Sequence, residues 1–385
     1  MGSQFATGWR QLSVGVVGGG IGGMSVAIAL RRAGHEVSIY ERADFAGEVG
    51  ASVSCAANGT RWLHEWGVDI EKGDPVVLKK LINRDWYTGE PVSIYDLDDY
   101  ERRWGYVYNM FHRQYMHAML KDCALQEEGE GIPAKLFVNH QCVNIDLESS
   151  TITFANGKTA KHDLIVGADG IGSVVRGILG VHPERRRSDQ SCLHANVLTE
   201  DAVKAGLVDY SQDSALEYWG GQEGKWDKIV LSPCNGGKLL SYYCFFPREL
   251  GDYANQQWSG EDRPLEELLS PYPKLDRQVF SHLAIGKEIR PWRLWVQATR
   301  VQAAAAKAAY NINERIGFSA NKHTSTYQVE DERKKLTIEE MNAYDMYHDI
   351  EEKLAVQGGT QYTGRWLCGL PLGLDLTNGV IVGEA

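Results

Sequence analysis

The sequence lacks any Cys-x-x-Cys pair, and its seven cysteines (Cys55, Cys123, Cys142, Cys192, Cys234, Cys244 and Cys368) are scattered and odd in number. Such spacing offers neither a zinc ligand set nor a disulfide framework, so no metal centre is expected, and it suits a reducing compartment. No run of about eighteen apolar residues exists to span a bilayer, and Met1 to Leu12 carries no secretory hydrophobic region. A cytoplasmic location is the expectation. An excess of positive charge is also missing. With 51 acidic and 40 basic residues the formal net charge is −11, which argues against a nucleic-acid partner and against docking on an anionic membrane. Repeats and low-complexity tracts are absent apart from Ala303 to Ala306. The rest is ordinary globular composition, 43% hydrophobic over 385 residues, enough for two domains with sizeable cores.

Against that plain background one stretch organises the chain. Ser13 to Val17 is a short apolar run fit for a buried parallel strand, and Gly18-Gly-Gly20-Ile-Gly-Gly23 follows at once. Met24 to Ala33 reads as a helix, Gly34 breaks it, Val37 to Tyr40 is a second strand, and Glu41 ends that strand. The glycines stand at the G-x-G-x-x-G spacing of a dinucleotide-binding βαβ unit. Gly18 permits the tight turn, Gly20 lets backbone approach a pyrophosphate, and Gly23 allows helix and strand to pack closely. The helix N-terminus offers unpaired N–H groups and partial positive charge to phosphates. Glu41 can accept hydrogen bonds from a ribose hydroxyl.

Farther along, the small residues around Gly50 and Ala51 fit either a backbone passing close to a bulky ligand or a plain surface loop. Asn58 to Trp66 reads as a helix with Asn58 as candidate cap. Val76 to Leu97 has the character of a hairpin around Thr88-Gly89. A helix starts near Phe111 with Arg113 at its beginning, placed either on a cofactor or in solvent. His162 to Gly167 is an apolar strand running into Ala168-Asp169-Gly170, which puts Asp169 at the crevice end of the strand, compatible with both cofactor contact and helix capping. Four strands are expected at Cys192–Leu198, Ala215–Trp219, Lys228–Ser232 and Leu239–Phe246, forming an antiparallel sheet. Tyr218, Trp219, Tyr242, Tyr243, Phe245 and Phe246 on them suit an aromatic pocket or the sheet core, with core favoured for most. Another strand covers Ile289–Val296, and helices are expected at Ala298–Ile316 and Thr337–Leu354.

The Gly18/Gly20/Gly23 motif with Glu41-Arg42, then Arg113, then Gly167-Ala-Asp169-Gly170 with Arg176, resembles the FAD-dependent aromatic hydroxylases, single-component flavoprotein monooxygenases. Gly50-Ala51, Asp85-Trp86, Trp219-Gly-Gly and Pro291-Trp-Arg-Leu look closest to the fungal salicylate-hydroxylase-like branch. The resemblance implies an α/β fold: a Rossmann-like FAD-binding domain, an inserted antiparallel-sheet substrate domain and a helical C-terminal part. The expected divisions are residues 1–180, with 76–100 lending strands to the substrate domain, then 181–296, then 297–385. It further implies that Gly18, Gly20 and Gly23 hold the FAD pyrophosphate, Glu41 the adenosine ribose and Arg42 the adenine side. Gly50 and Ala51 would lie beside the ribityl chain or flavin, Arg113 would contact the cofactor, and Asp169 would serve both FAD and NAD(P)H use. NAD(P)H would reduce the flavin, and a flavin C4a-hydroperoxide would hydroxylate a small aromatic or phenolic substrate. No catalytic base is assigned; His112, Tyr218 and Arg293 are polar candidates by position alone.

One departure qualifies this. The family's third motif, a strand ending in Gly-Asp and a helix cradling the riboflavin end, should follow the Pro-Trp-Arg strand, but Val296 runs straight into Gln297-Ala-Thr-Arg. The block is missing there, which implies weakly held or exposed flavin. It leaves open a redox-neutral relative (cyclisation or isomerisation) or an inactive truncated form. Gly379-Val-Ile-Val-Gly383-Glu384 resembles the missing strand with Glu for Asp. Either the likeness is chance, or this segment returns to fill the strand slot.

Overall fold

The computed structural model describes residues 10–44, 50–182, 185–220, 228–251, 262–292, 294–297, 372–375 and 380–383. Ser13–Val17 forms strand β1, Ile21–Arg32 helix α1 and Glu36–Tyr40 strand β2. Ser52–Cys55 (β3), Lys80–Arg84 (β4) and Pro91–Asp96 (β5) come next. Asn109–His112 (β6) runs directly into helix α2, Arg113–Leu125, and Lys135–Phe137 is β7. Leu164–Gly167 (β8) leads through a turn to the short helix α3, Val174–Ile178. Gln190–Leu198 (β9), Ala215–Gly220 (β10), Lys228–Cys234 (β11) and Leu239–Pro247 (β12) precede helix α4, Arg277–Ala284, and strand β13, Lys287–Trp292. Leu372–Asp375 (β14) and Val380–Gly383 (β15) are the last described strands.

Two large sheets result. The first has the order β14-β15-β8-β1-β2-β7, with every pair parallel except β14 on β15. Its central strand β1 is covered on both faces, so it reads as an unbroken apolar run rather than an alternating one. Met24, Ala27 and Ile28 of α1 pack with Met116, Met119 and Leu120 of α2 on one side. Tyr40, Ile152, Phe154 and Val175 cluster on the other. Arg31, 2% exposed, ties α1 to the end of α2. Its guanidinium donates to the carbonyls of Cys123, Ala124, Gln126, Glu128, Glu130 and Gly131, groups a helix C-terminus and its loop leave unpaired.

The tail enters this sheet. β15 lies parallel to β8, with Val380 opposite Ile165. The segment therefore occupies the strand position beyond β8, and of the two readings of Gly379–Gly383 the structure bears out the slot-filling one. Chance likeness is corrected, because apolar Val-Ile-Val satisfies an open parallel edge as well as it resembles one.

The second sheet has the order β13-β9-β12-β11-β10-β4-β5 and is antiparallel except where β10 meets β4. Alternation sorts its aromatics. Trp219, Tyr242 and Phe246 join Leu193, Ala195, Val197, Val279 and Leu283 in one core, whereas Tyr218, Tyr243 and Phe245 stand on the opposite face. The hairpin expected at 76–97 is present as β4 and β5, turning at Gly89 with φ +72°. One expectation fails: the helix Ala57–Glu65 begins after Ala56, so Asn58 lies inside it rather than at its N-cap. The helices expected at 298–316 and 337–354, and Arg293, lie outside the described residues.

Candidate functional site

Six of the residues named from sequence meet around one cleft. Gly18, Gly20, Glu41, Arg42, Arg113 and Asp169 line a space of about 450 Å³ where β1, β2 and β8 end. The glycines serve distinct ends. At Gly18 the backbone has φ +105°, and an added Cβ would lie 2.4 Å from the Ala168 carbonyl oxygen. At Gly23 it would lie 1.9 Å from Gly18 O, so helix and turn touch through backbone. At Gly20 it would meet nothing within 4 Å, because that position faces open space. Gly20 is also the N-cap of α1, with no side-chain cap and no acidic residue in the first turn. The helix thus presents its N–H groups and dipole to the cleft without a competitor of its own.

Glu41 is fixed rather than loose. Gly19 N–H donates to its Oε2 at 2.7 Å and Ala43 N–H to Oε1 at 2.9 Å, while its main-chain oxygen accepts from His140 N–H at 2.8 Å. One residue thereby joins the glycine turn, the end of β2 and the loop after β7. Arg113 heads α2, its N–H bonded to Ala51 O at 2.7 Å. One turn on, buried His117 donates through Nε2 to Gly19 O at 2.7 Å, a second brace that no sequence signal marked. Asp169 accepts from Ser173 Oγ and from the N–H groups of Val174 and Val175. Asp169 thus orders the start of α3 and also lines the cleft.

Gly50 and Ala51 lie between the second sheet and the start of α2. An added Cβ at Gly50 would sit 2.3 Å from His112 Nε2. Gly50 O accepts from Asn196 Nδ2 at 3.2 Å, Ser52 N–H donates to Ser241 Oγ at 3.2 Å, and Tyr243 donates its hydroxyl to Ser52 O at 2.6 Å. The segment is thus laced to the face of the second sheet that carries Tyr218, Tyr243 and Phe245. On that face His194 is fully buried, with Nε2 2.8 Å from Ser241 Oγ and its ring 5.0 Å from Tyr243 and 6.1 Å from Trp292. Burial, and then the neighbouring His112, push His194 down to about 4; burial likewise lowers His112, so both are neutral near pH 7. His112 Nδ1, His194 Nδ1 and Asn196 Oδ1 are buried without a hydrogen-bond partner among the described residues. A bulge between β9 and β13 holds Glu288 at φ +54°, and its Oε2 accepts from Asn196 Nδ2 at 2.7 Å.

Of the polar candidates, His112 therefore lies on Gly50. Tyr218 is half-buried on β10, two strands from β12 and Tyr243, its hydroxyl pushed up by burial and then by Tyr108. Sequence reading named Tyr243 only within a group suited to pocket or core, and missed His194 and Asn196. The available signal was polar residues at alternate positions of the otherwise apolar β9. Among the described residues no cluster suited to a metal ion occurs, and no helix is long and apolar enough to cross a membrane.

Comparison with known proteins adds to this geometry. Residues 16–83 match the family model of an NAD(P)-binding Rossmann-like domain. Over 237 residues the chain is 40% identical to hispidin-3-hydroxylase of Neonothopanus nambi, covering 60% of this chain and 51% of that protein. A similar match, 30% identical, is the FAD-dependent monooxygenase cfoG of Aspergillus candidus, covering 60% of this chain and 53% of the relative. Over this stretch the chain is similar to these two relatives. It spans about half the length of these curated relatives. In fold it resembles Klebsiella pneumoniae HpxO solved with FAD and uric acid, at TM-score 0.59 and 20% identity, covering 74% of this chain and 68% of the other. It also resembles 2-methyl-3-hydroxypyridine-5-carboxylic acid oxygenase at TM-score 0.58 and 24% identity, covering 75% and 71%. At about three quarters of the chain, the fold relationship extends beyond the Rossmann segment of the family match.

Proposed function

We propose that this chain binds FAD and hydroxylates a small aromatic or phenolic substrate, using NAD(P)H and O2. The observation that carries the reading is the convergence of Gly18, Gly20, Glu41, Arg42, Arg113 and Asp169 on one cleft, with open space at Gly20 and an uncapped helix N-terminus behind it. These residues fit the adenosine and pyrophosphate end of FAD. The turn 18–20 and the first N–H groups of α1 would hold the pyrophosphate, Glu41 the ribose, and Arg42 the adenine side. Gly50 and Ala51, beside Arg113, would border the ribityl chain or ring. When bound, the flavin supplies the redox chemistry, taking reducing equivalents from NAD(P)H and passing them to O2.

The chain's part is to orient and to exclude water. Residues 50–52 are stitched to the second sheet and to the start of α2, so a ring lying beside them is held at a fixed height over the sheet face. Tyr243 and Trp292 would wall the substrate, and neutral His194 would offer a hydrogen bond rather than a charge. On this reading residues 1–180, apart from β4 and β5, carry the cofactor, and 181–296 carry the substrate sheet. The competing redox-neutral or inactive reading rests on the missing Gly-Asp strand and cradle helix, of which β15 supplies a strand beside β8.

The test is the visible absorption spectrum of the purified protein before and after adding FAD, with flavin quantified after denaturation. A flavin band that shifts on binding is expected, with NAD(P)H oxidation stimulated by phenolic ligands. A colourless protein unchanged by excess FAD would sink the proposal.

A further inference from the structure

Among the described residues, Lys228 on the sheet face opposite the core is a cation with no carboxylate paired to it. Lys228 opens β11, and its ammonium lies 5.2 Å from the Tyr218 ring centre and 5.8 Å from that of Phe245. No carboxylate pairs with it among the described residues, although Lys80, Lys204, Lys238 and Lys287 each pair with an Asp or Glu. Burial lowers its pKa, with Cys192 opposing as the lesser influence. Aromatic faces attract a cation but do not replace the oxygen ligands that it loses with water.

Register places Lys228 relative to the histidine cluster. Lys228 is opposite Phe245, and Phe245 is opposite Cys192, so these three form one row across β11, β12 and β9. His194 and Tyr243 form the next row on the same face. Strands lie about 4.8 Å apart and alternate residues about 6.8 Å apart, so the Cα atoms of Lys228 and His194 are roughly 12 Å apart. At one end stand the orphan nitrogens of His194 and His112 and the orphan oxygen of Asn196. At the other stands an ammonium between two rings. Tyr243 lies between the two ends.

We propose that Lys228 recognises an acidic group on the substrate, so that this sheet face takes an elongated hydroxylated aromatic whose carboxylate or other anionic oxygen meets the ammonium while its far hydroxyl reaches His194 and Asn196. This rests on the monooxygenase reading only in taking this face as the substrate side. The aromatic box fits the role. It holds the ammonium in place, excludes water from one side, and contributes no negative charge that an anionic ligand would have to displace.

The probe pair is 3-(4-hydroxyphenyl)propanoate and its neutral amide, titrated into the full chain by tryptophan fluorescence and calorimetry, with flavin content measured on the same samples. The expected result is that the carboxylate binds about tenfold tighter than the amide, the worth of one charge-assisted contact. In Lys228→Met the ratio should fall to about one, whereas Lys228→Arg should keep most of it. A lysine that merely packs between two rings would weaken both ligands equally and leave the ratio unchanged, which would overturn the assignment. So would equal binding of acid and amide by the parent protein. Should Lys228→Met not fold, the parent's acid-to-amide ratio and that of Lys228→Arg still decide. Flavin bound without acid preference overturns the assignment alone. Acid preference without flavin overturns the redox reading alone.

Discussion

Substituting two glycines in the same turn should separate packing from cofactor contact. In Gly23→Ala the new methyl would start 1.9 Å from Gly18 O, a backbone atom in a turn fixed by Gly18 N–H bonding to Tyr40 O at 2.8 Å. Ordinary contact needs about 3.4 Å, so α1 must withdraw by roughly 1.5 Å, and overpacking on that scale costs about 1–3 kcal/mol. The withdrawal also moves the first N–H groups of α1 away from the cleft. Each charge-assisted hydrogen bond to phosphate is worth about 1.5–3 kcal/mol, so losing one or two raises the FAD Kd by roughly a hundredfold. In Gly20→Ala the methyl meets nothing within 4 Å, and Gly20 already has φ −74°, which alanine adopts without strain. Its Tm should therefore stay within about a degree of the parent's. Its FAD Kd should still rise at least about tenfold, because the methyl fills space reserved for pyrophosphate. Differential scanning fluorimetry without ligand, paired with FAD titration by fluorescence quenching, reads both quantities. Parent-like FAD binding by Gly20→Ala would refute the assignment of this turn to phosphate, and a Gly23→Ala protein of undiminished Tm would refute the packing argument.

Arg31→Met should cost about 3–5 kcal/mol, since six carbonyls lose a shared donor inside the fold, and chemical denaturation would measure it. Acid should destabilise the protein early. Burial holds His194 and His282 near 4 in the folded state against about 6.5 unfolded, so the unfolded chain binds more protons between those values. Their contribution is complete above about pH 6.5 and is lost as pH falls toward 4, by roughly 2 kcal/mol each at pH 5. Urea midpoints at pH 7 and pH 5 would test this, and His282→Phe should flatten the dependence. Removing residues 372–385 should uncover the edge at β8, lowering Tm and promoting association seen by light scattering. An unchanged, monodisperse protein would contradict the placement of β15.

The cofactor end was legible because its signals are local. Strand, glycines, helix, strand and Glu41 stand within thirty residues, and each glycine's task follows from backbone geometry alone. The strands of the second sheet were legible from β-branched and aromatic runs, but their faces were not assigned. Trp219 and Tyr218 are neighbours in sequence, yet one enters the core and the other the opposite face, and only register across three strands decides which. The same limit hid the histidine cluster. His112 and His194 are 82 residues apart, and nothing in either segment announces the other. Arg31 carries no local signal of its role. Its burial depends on where the loop 126–131 closes, a long-range fact. The tail was readable as a strand, but its place beside β8 required tertiary pairing.

That pairing has a consequence during biosynthesis. Val380 and Ile165 are partners, yet 215 residues separate them. A ribosome adding roughly 5–20 residues per second leaves the outer edge of β8 without its neighbour for roughly ten to forty seconds after β8 emerges. Throughout that interval the nascent chain exposes a parallel strand edge flanked by apolar side chains, a template for pairing with other emerging chains. Helices and hairpins form in microseconds, so the rest of this sheet can be complete long before its last partner exists. Yield in cells should therefore depend on translation speed between codons 165 and 380 and on chaperones that cover an open edge.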